Sequence, residues 1–240
     1  MKLLILTQAV DRTDPVLGFM HQWIEALAQN CENVIVICLK KGEYVLPQNV
    51  HVLSLGKEEG VGRFEYIKRF YTYIAKEKEN YDAVFVHMNQ EYVLLGGLLW
   101  RLWGKKILLW RNHKKGSMLT RIAVMLAHVV ACTSPSSYTK QFSKTVLMPV
   151  GIDTSVFSPH EKPWPNTVLF FGRFDPVKRA REFVEALKEL HEQRFTFQAT
   201  LCGDPTAGNE EYAQEVRALA QPLVSAGVLQ IIPSVHHADA

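Results

Sequence analysis

The sequence lacks the short motifs that mark several common classes of α/β enzyme. Its first apolar run is followed by Thr7–Gly18, which holds a single glycine where a dinucleotide-binding domain needs Gly-x-Gly-x-x-Gly. It contains no Gly-x-x-x-x-Gly-Lys-Ser/Thr and no Gly-x-Ser-x-Gly. These absences argue against a dehydrogenase, a P-loop nucleotidase and a serine hydrolase of the α/β type.

Cysteine and long apolar runs are also scarce. The four cysteines are scattered with no Cys-x-x-Cys pair, which argues against a zinc site or a disulfide framework and favours a reducing compartment. The apolar run Tyr92–Trp100 stops at Arg101, far short of the ~20 residues of a membrane helix, and Met1–Leu6 is too short for a signal peptide. We therefore expect a cytoplasmic protein, with peripheral contact at the inner face of a membrane as a further option.

Acidic residues are missing from one long stretch. Between Tyr92 and Ile152 there is none, against nine basic residues, and the formal charge is +6 for residues 1–160 and −3 for residues 161–240. Such a block suggests an anionic partner, namely phosphate, nucleic acid or a lipid surface, although a solvated face explains it equally well. The basic residues are Arg101, Lys105, Lys106, Arg111, Lys114, Lys115, Arg121, Lys140 and Lys144.

Short apolar runs alternate with helical patterns along the chain, which predicts an α/β fold with parallel sheets covered by helices on both faces. In the predicted helix Arg63–Glu79 we expect Phe64, Ile67, Phe70, Tyr71 and Ile74 to face inward. The predicted strands are Leu3–Thr7, Val34–Leu39, Val50–Leu55, Ala83–His87, Lys106–Trp110, Val129–Thr133, Thr167–Phe171, Phe197–Cys202 and Val228–Ile232.

The alternation stops at residues 134–166, where prolines are frequent, and then starts again. We interpret this stretch as loops and a linker between two Rossmann-like, doubly wound domains, residues 1–158 and 159–240. The second domain has only a β-α-β-α-β pattern, about half of a doubly wound domain, so we expect it to be incomplete.

The stretch Leu169–Arg179 has the strongest chemical signature in the sequence. A strand ends in Gly172-Arg173, a short loop follows, and a helix is predicted to begin near Lys178. Arginine binds phosphate oxygens in a fork, lysine adds a point charge, and a helix N-terminus favours an anion, so this arrangement suits a diphosphate. Gly172 would let the ligand approach the backbone closely.

A second motif precedes it. Pro149-Val150-Gly151-Ile152-Asp153-Thr154-Ser155-Val156-Phe157-Ser158-Pro159 is by itself an interdomain linker. Taken with Gly172-Arg173 through Lys178 and with Leu201-Cys202-Gly203-Asp204, it resembles the family 4 retaining glycosyltransferases of the GT-B fold. The order and the separation of the motifs are also similar. The resemblance implies transfer of a sugar from a nucleotide sugar, UDP- or GDP-linked, to a carbohydrate or lipid-linked acceptor, as in the making of cell-envelope polysaccharide.

The resemblance also implies roles for individual residues. Arg173 and Lys178, with Gly172, would hold the donor diphosphate and stabilise charge on the departing nucleotide. Gly18 would let the donor approach, although this chain has Leu17-Gly18 where the family often has Gly-Gly. His113 would be catalytic, facing the transferred sugar, and a loop histidine is the alternative. Asp11, Arg12 and Asp14 are acceptor-side candidates with a solvated turn as the alternative, His87 is a weaker candidate, and no metal or other cofactor is implied.

One departure from the family is large. No glutamate pairs with another eight positions on, so the family's Glu-x7-Glu region, which grips the donor, is absent. We therefore expect a C-terminally truncated chain with little or no activity. The alternatives are a catalytically inert nucleotide- or phosphate-binding fragment and a nucleic-acid-binding protein. The last is disfavoured by the acidic second half and by the lack of aromatic-glycine signatures. The terminal His236-His237-x-Asp239 is interpreted as incidental rather than as a metal site.

Overall fold

The computed structural model describes residues 1–14, 16–152, 154 and 165–235, which form two compact units, Met1–Ile152 and Asp153–Ala240. The boundary predicted after residue 158 lies outside the described residues and stays a prediction. Asp153, Phe157 and the terminal His236, His237 and Asp239 also lie outside them.

The first unit is built on a parallel sheet of seven strands in the order β3-β2-β1-β4-β5-β6-β7. Four helices connect the strands, as in a doubly wound domain. The elements are β1 (Lys2–Val10), α1 (Phe19–Ala28), β2 (Asn33–Lys41), β3 (Val50–Ser54), α2 (Arg63–Lys76), β4 (Ala83–His87), α3 (Gln90–Leu102), β5 (Lys106–Trp110), α4 (Met118–Leu126), β6 (Val129–Cys132) and β7 (Thr145–Leu147).

Both faces of this sheet are buried, which explains why its strands are continuous apolar runs. Successive side chains of a strand point to opposite faces. Leu4 and Leu6 of β1 therefore enter the core that α2, α3 and α4 share, whereas Leu3 and Ile5 enter the core beneath α1.

The second unit is a parallel sheet of three strands in the order β10-β9-β8, with α5 and α6 packed on one face. On the other face of β8 the side chains of Leu169 and Phe171 are more than half exposed. This agrees with the expectation of an incomplete doubly wound domain. The elements are β8 (Thr167–Phe171), α5 (Ala180–Glu192), β9 (Gln198–Cys202), α6 (Glu210–Ser225) and β10 (Leu229–Ile232).

The structure corrects three expectations. The short edge strand β7 lies in the stretch that was interpreted as loops. The inward face assigned to α2 is partly wrong, because Phe70 and Ile74 are buried but Phe64 is 81% exposed, Ile67 is 42% exposed and Tyr71 is 37% exposed. Lys178 lies in a one-turn 3-10 helix, and α5 begins two residues later at Ala180.

None of the helices in the described residues is long and apolar enough to cross a bilayer.

Candidate functional site

The loop after β8 carries Gly172, Arg173 and Lys178 at the carboxyl end of the sheet, the edge where open α/β sheets bind ligands. Phe174, which is fully buried in the core of the second unit, anchors this loop. The Gly172 N–H donates to the Cys202 carbonyl (3.0 Å), and the Phe174 N–H donates to the Asp204 carbonyl (2.9 Å). The loop is therefore fixed to the end of the neighbouring strand.

Gly203 brings the loops after β8 and β9 into close backbone contact. Its φ of +152° is one that side-chain-bearing residues rarely adopt, and a Cβ there would lie 1.9 Å from the Gly172 carbonyl oxygen. Only glycine allows this approach. At Gly172 itself, a Cβ would meet nothing closer than the Phe170 ring, so the peptide beside Arg173 is open.

Asp175 organises the two predicted phosphate-binding cations. It is nearly buried, and its carboxylate accepts a hydrogen bond from the Lys178 N–H (3.2 Å) at the start of the 3-10 turn. Its other oxygen lies 3.5 Å from Arg173 Nη2. The Arg173 side chain remains 39% exposed, and Lys178 is exposed with no ion pair among the described residues. The loop thus presents two cations to solvent, one of them oriented by a buried carboxylate.

His113, the predicted catalytic residue, lies in an exposed loop after β5. Its Nδ1 is 3.1 Å from both the backbone N and the backbone O of Lys115. Both contacts are to the backbone of the same loop, so they hold the imidazole against residues close to it in sequence. The catalytic role of His113 stays a prediction.

Arg111 braces the same loop and was not singled out from the sequence as a positioning residue. The residue is largely buried, and its guanidinium donates to the carbonyls of Lys115 (3.1 Å) and His113 (3.5 Å). Burial lowers the pKa of this guanidinium below its ordinary value, an effect that nearby Glu91 opposes. An arginine that directly follows an apolar strand is the sequence signal that could have indicated this role.

The acceptor-side candidates hold their own loop together. Asp11 accepts hydrogen bonds from the Thr13 hydroxyl (2.7 Å) and N–H (3.0 Å). Burial raises the pKa of Asp11, but these bonds outweigh it and hold the pKa below its usual value. Asp14 caps the turn before α1 through the N–H groups of Val16 and Leu17, and Arg12 lies 3.7 Å from Glu43. Structural roles are therefore visible for all three, and acceptor contact stays a prediction.

The geometry of the loop before α1 explains why position 18 is a glycine. A Cβ at this position would lie 2.8 Å from the Asp14 carbonyl oxygen and 3.1 Å from that of Arg12. The turn therefore needs glycine irrespective of any ligand, and the donor-side role of Gly18 stays a prediction.

His87 ends β4 on the face covered by α1, inside an aromatic cage of Phe19, Trp23 and Phe85 with ring centroids 5.7 to 6.4 Å away. The ring is 4% exposed, and burial lowers its pKa to about 4. Its Nδ1 and the hydroxyl of Thr7, at the neighbouring position of β1, are buried without a hydrogen-bond partner among the described residues. Nothing in the sequence singles out Thr7, because a threonine within an apolar strand is ordinary.

The comparisons agree with this architecture. Residues 14–113 match the family described as glycosyl transferase 4-like. The structure is similar to that of HepE from Anabaena in complex with UDP, with a TM-score of 0.72 and 17% identity over 98% of this chain and 70% of that one. The chain has the GT-B fold.

Two further solved structures are similar to this chain at comparable sequence identity. The lipopolysaccharide outer core galactosyltransferase WaaB has a TM-score of 0.62 and 16% identity over 98% of this chain and 68% of its own. The UDP-GlcNAc 2-epimerase of Methanocaldococcus jannaschii has a TM-score of 0.58 and 15% identity over 100% of this chain and 75% of its own. The comparison with curated proteins gave no match. The fold is thus shared by transferases and an epimerase, and it does not by itself fix the reaction.

Proposed function

We propose that the protein is a glycosyltransferase that moves a sugar from a UDP- or GDP-linked donor to a carbohydrate or lipid-linked acceptor, with retention of anomeric configuration. The observation that carries this proposal is the loop after β8. There, the half-buried Arg173 and the exposed Lys178 lie beside an open backbone and at the N-terminal side of α5. Structures of HepE, which has the same fold, hold UDP and UDP-glucose.

The chemistry needs no protein nucleophile. The bond between the sugar C1 and the donor phosphate breaks, and a bond from C1 to the acceptor oxygen forms on the same face. The acceptor proton passes to the departing diphosphate. Arg173 and Lys178 would stabilise the charge that develops on this leaving group, which lowers the barrier more than ground-state binding does. His113 would contact the transferred sugar.

Binding of UDP to the full chain, measured by titration calorimetry with and without EDTA, tests the phosphate-binding loop. We expect Arg173→Ala to weaken UDP about 10- to 100-fold, because a hydrogen bond to a charged group contributes roughly 1.5–3 kcal/mol. Lys178→Ala should have a smaller effect, since a single flexible ammonium is less well oriented. EDTA should change nothing.

Lys188→Ala is the matched control, because Lys188 lies on α5 in the same unit and makes no ion pair among the described residues. Equal UDP affinity of the Arg173→Ala variant and the parent chain would show that the loop does not hold the diphosphate. UDP binding that depends on Arg173, without sugar transfer to any acceptor, would favour the inert nucleotide-binding alternative over the enzyme.

A further inference from the structure

The outward face of α4 is apolar, whereas the outward face of a surface helix is normally polar. Thr120, Ala123 and Val124 are buried against the sheet, as expected for the inner face. On the outer face Met118 is 72% exposed and Met125 is 70% exposed, and the other large apolar side chains there are also exposed. Those side chains are Leu119 and Ile122.

The end of α3 extends this apolar face. Gly97 lets the two helices approach closely, since a Cβ there would lie 3.1 Å from Leu126 Cβ. Arg101 Nη1 donates to the Leu126 carbonyl (3.0 Å), which joins the carboxyl ends of α3 and α4. Leu98 and Leu102, which flank Arg101 on α3, are more than 60% exposed. We call Leu98, Leu102, Met118, Leu119, Ile122 and Met125 the α3–α4 surface.

Trp100 of α3 is not part of this surface. In the run from Leu98 to Trp103, Trp100 is fully buried and its indole N–H donates to the Tyr81 hydroxyl (3.2 Å). The tryptophan therefore belongs to the core, and the exposed apolar area comes mainly from α4.

The stretch of sequence from Tyr92 to Ile152, which contains this surface, has charged residues of one sign. None of the nine basic residues between Tyr92 and Ile152 forms an ion pair in the part of the chain that the structure describes, and the stretch contains no acidic residue. Arg121 lies on α4 itself, and Lys114 and Lys115 are exposed just before its first turn. Lys140 is exposed in the turn whose Tyr138 hydroxyl accepts a hydrogen bond from Arg121 Nε (3.1 Å).

We propose that the α3–α4 surface docks the protein on a lipid bilayer rich in anionic headgroups. Aliphatic side chains and methionines bordered by lysine and arginine have the chemistry for the boundary between acyl chains and anionic headgroups. A second copy fits less well, because a symmetric contact would bring two basic blocks together. A nucleic acid would use the cations but not the aliphatic side chains, which cannot stack on bases. The inference goes beyond the proposed function and does not depend on it.

Flotation of the full chain with lipid vesicles tests the proposal. We expect partition into vesicles with about 30% phosphatidylglycerol to exceed partition into pure phosphatidylcholine vesicles about 10-fold or more, and to weaken as salt is raised. Equal partition into both kinds of vesicle, or none into either, would overturn it. A dimer that forms without vesicles and that the variants below abolish would instead identify a second copy as the occupant.

Two pairs of variants separate the apolar and the charged contributions. The double variant Met118→Ser, Met125→Ser should lower partition several-fold while leaving the circular dichroism spectrum unchanged, because both side chains are exposed. Phe64→Ser on α2, where Phe64 is 81% exposed, is its control. Lys114→Glu with Lys115→Glu should lower partition about 10-fold or more, against Lys57→Glu with Lys76→Glu as the control. An unchanged partition of the methionine variant would refute the assignment of the surface.

Discussion

At the residue scale, the burial of His87 gives the protein a pH dependence that can be measured. The sequence places a histidine at the end of β4, where α/β sheets bind ligands, and this position alone made it a candidate. The structure encloses the ring among Phe19, Trp23 and Phe85, with no hydrogen-bond partner for Nδ1 among the described residues. Burial penalises the charged imidazolium, and the neutral ring is the stable form in the folded state.

This burial predicts acid sensitivity of the first unit. The pKa of His87 falls from 6.5 to about 4 on folding, so the unfolded chain binds a proton that the folded chain rejects between these values. The free energy of unfolding is unaffected by this titration above pH 6.5 and decreases as the pH falls toward 4. Near pH 5 the decrease is roughly 2 kcal/mol. We expect His87→Phe, which keeps an aromatic ring in the cage, to reduce this loss.

Urea denaturation of the parent chain and of His87→Phe, near pH 7.5 and near pH 5, measures the effect. The difference between the two proteins is the relevant quantity, because the pKa of His128 is also lowered, by burial and by Arg101, Lys106 and Lys144, and contributes with the same sign. If both proteins lose the same stability between the two pH values, the ring of His87 is not buried in the neutral form.

At the element scale, the glycines of α3 illustrate packing that overrides helix propensity. A glycine inside a helix costs about 1 kcal/mol relative to alanine, so Gly96 and Gly97 look unfavourable from the sequence. A Cβ on Gly96 would lie 2.7 Å from the ring of Trp100, which is fully buried and hydrogen-bonded to Tyr81. Gly97 lies against Leu126 of α4. The two glycines therefore make room for a buried indole and for a neighbouring helix.

We expect Gly96→Ala to destabilise the first unit by about 1–3 kcal/mol, although helix propensity alone predicts stabilisation. The added methyl group would displace a rigid ring that has no free space around it. Thermal unfolding measures the change, and Ser143→Ala in an exposed turn of the same unit serves as a control for handling and concentration. A rise in stability would mean that the indole moves at little cost.

The difference between local sequence pattern and tertiary packing also explains which elements could be predicted from the sequence. Strands such as Ala83–His87 and Lys106–Trp110 were predicted with their observed bounds, because buried parallel strands are apolar runs that local composition reveals. β7 was missed because three residues near prolines carry no periodic signal. The inward face of α2 was partly wrong, since an apolar side chain such as Phe64 in the first turn can stay in solvent when no element lies over it.

For the candidate site, sequence motifs located Arg173 and His113 on loops and Lys178 just before α5. The direct partners of these residues, Asp175 and Lys115, are close in sequence, but the motifs could not reveal the contacts that fix the loops, because those come from distant parts of the chain. Gly203 lies against Gly172, and Thr133 donates its N–H to the Asn112 side chain beside His113. Such contacts depend on the order of strands in the sheet, which a single sequence determines only through the complete fold.

At the scale of the whole molecule, the two units have separate cores. The two clusters of the first unit and the cluster of the second share no residue among those described. The second unit is smaller, and in the described part of the chain its sheet has helices on one face only, with Leu169 and Phe171 exposed on the other. Because burial of apolar surface is the main stabilising contribution, we expect the second unit to be the less stable of the two.

This predicts two thermal transitions in calorimetry, the first from the second unit. Leu201→Ala in β9 should lower only the first transition, and Leu6→Ala in β1 should lower only the second, because each leucine is fully buried in the core of its own unit. Each truncation should cost about 2–5 kcal/mol, and the shift in temperature should be larger in the smaller unit. A single transition lowered by both variants would mean that the units unfold cooperatively, and the stability of the phosphate-binding loop would then depend on the core of the first unit.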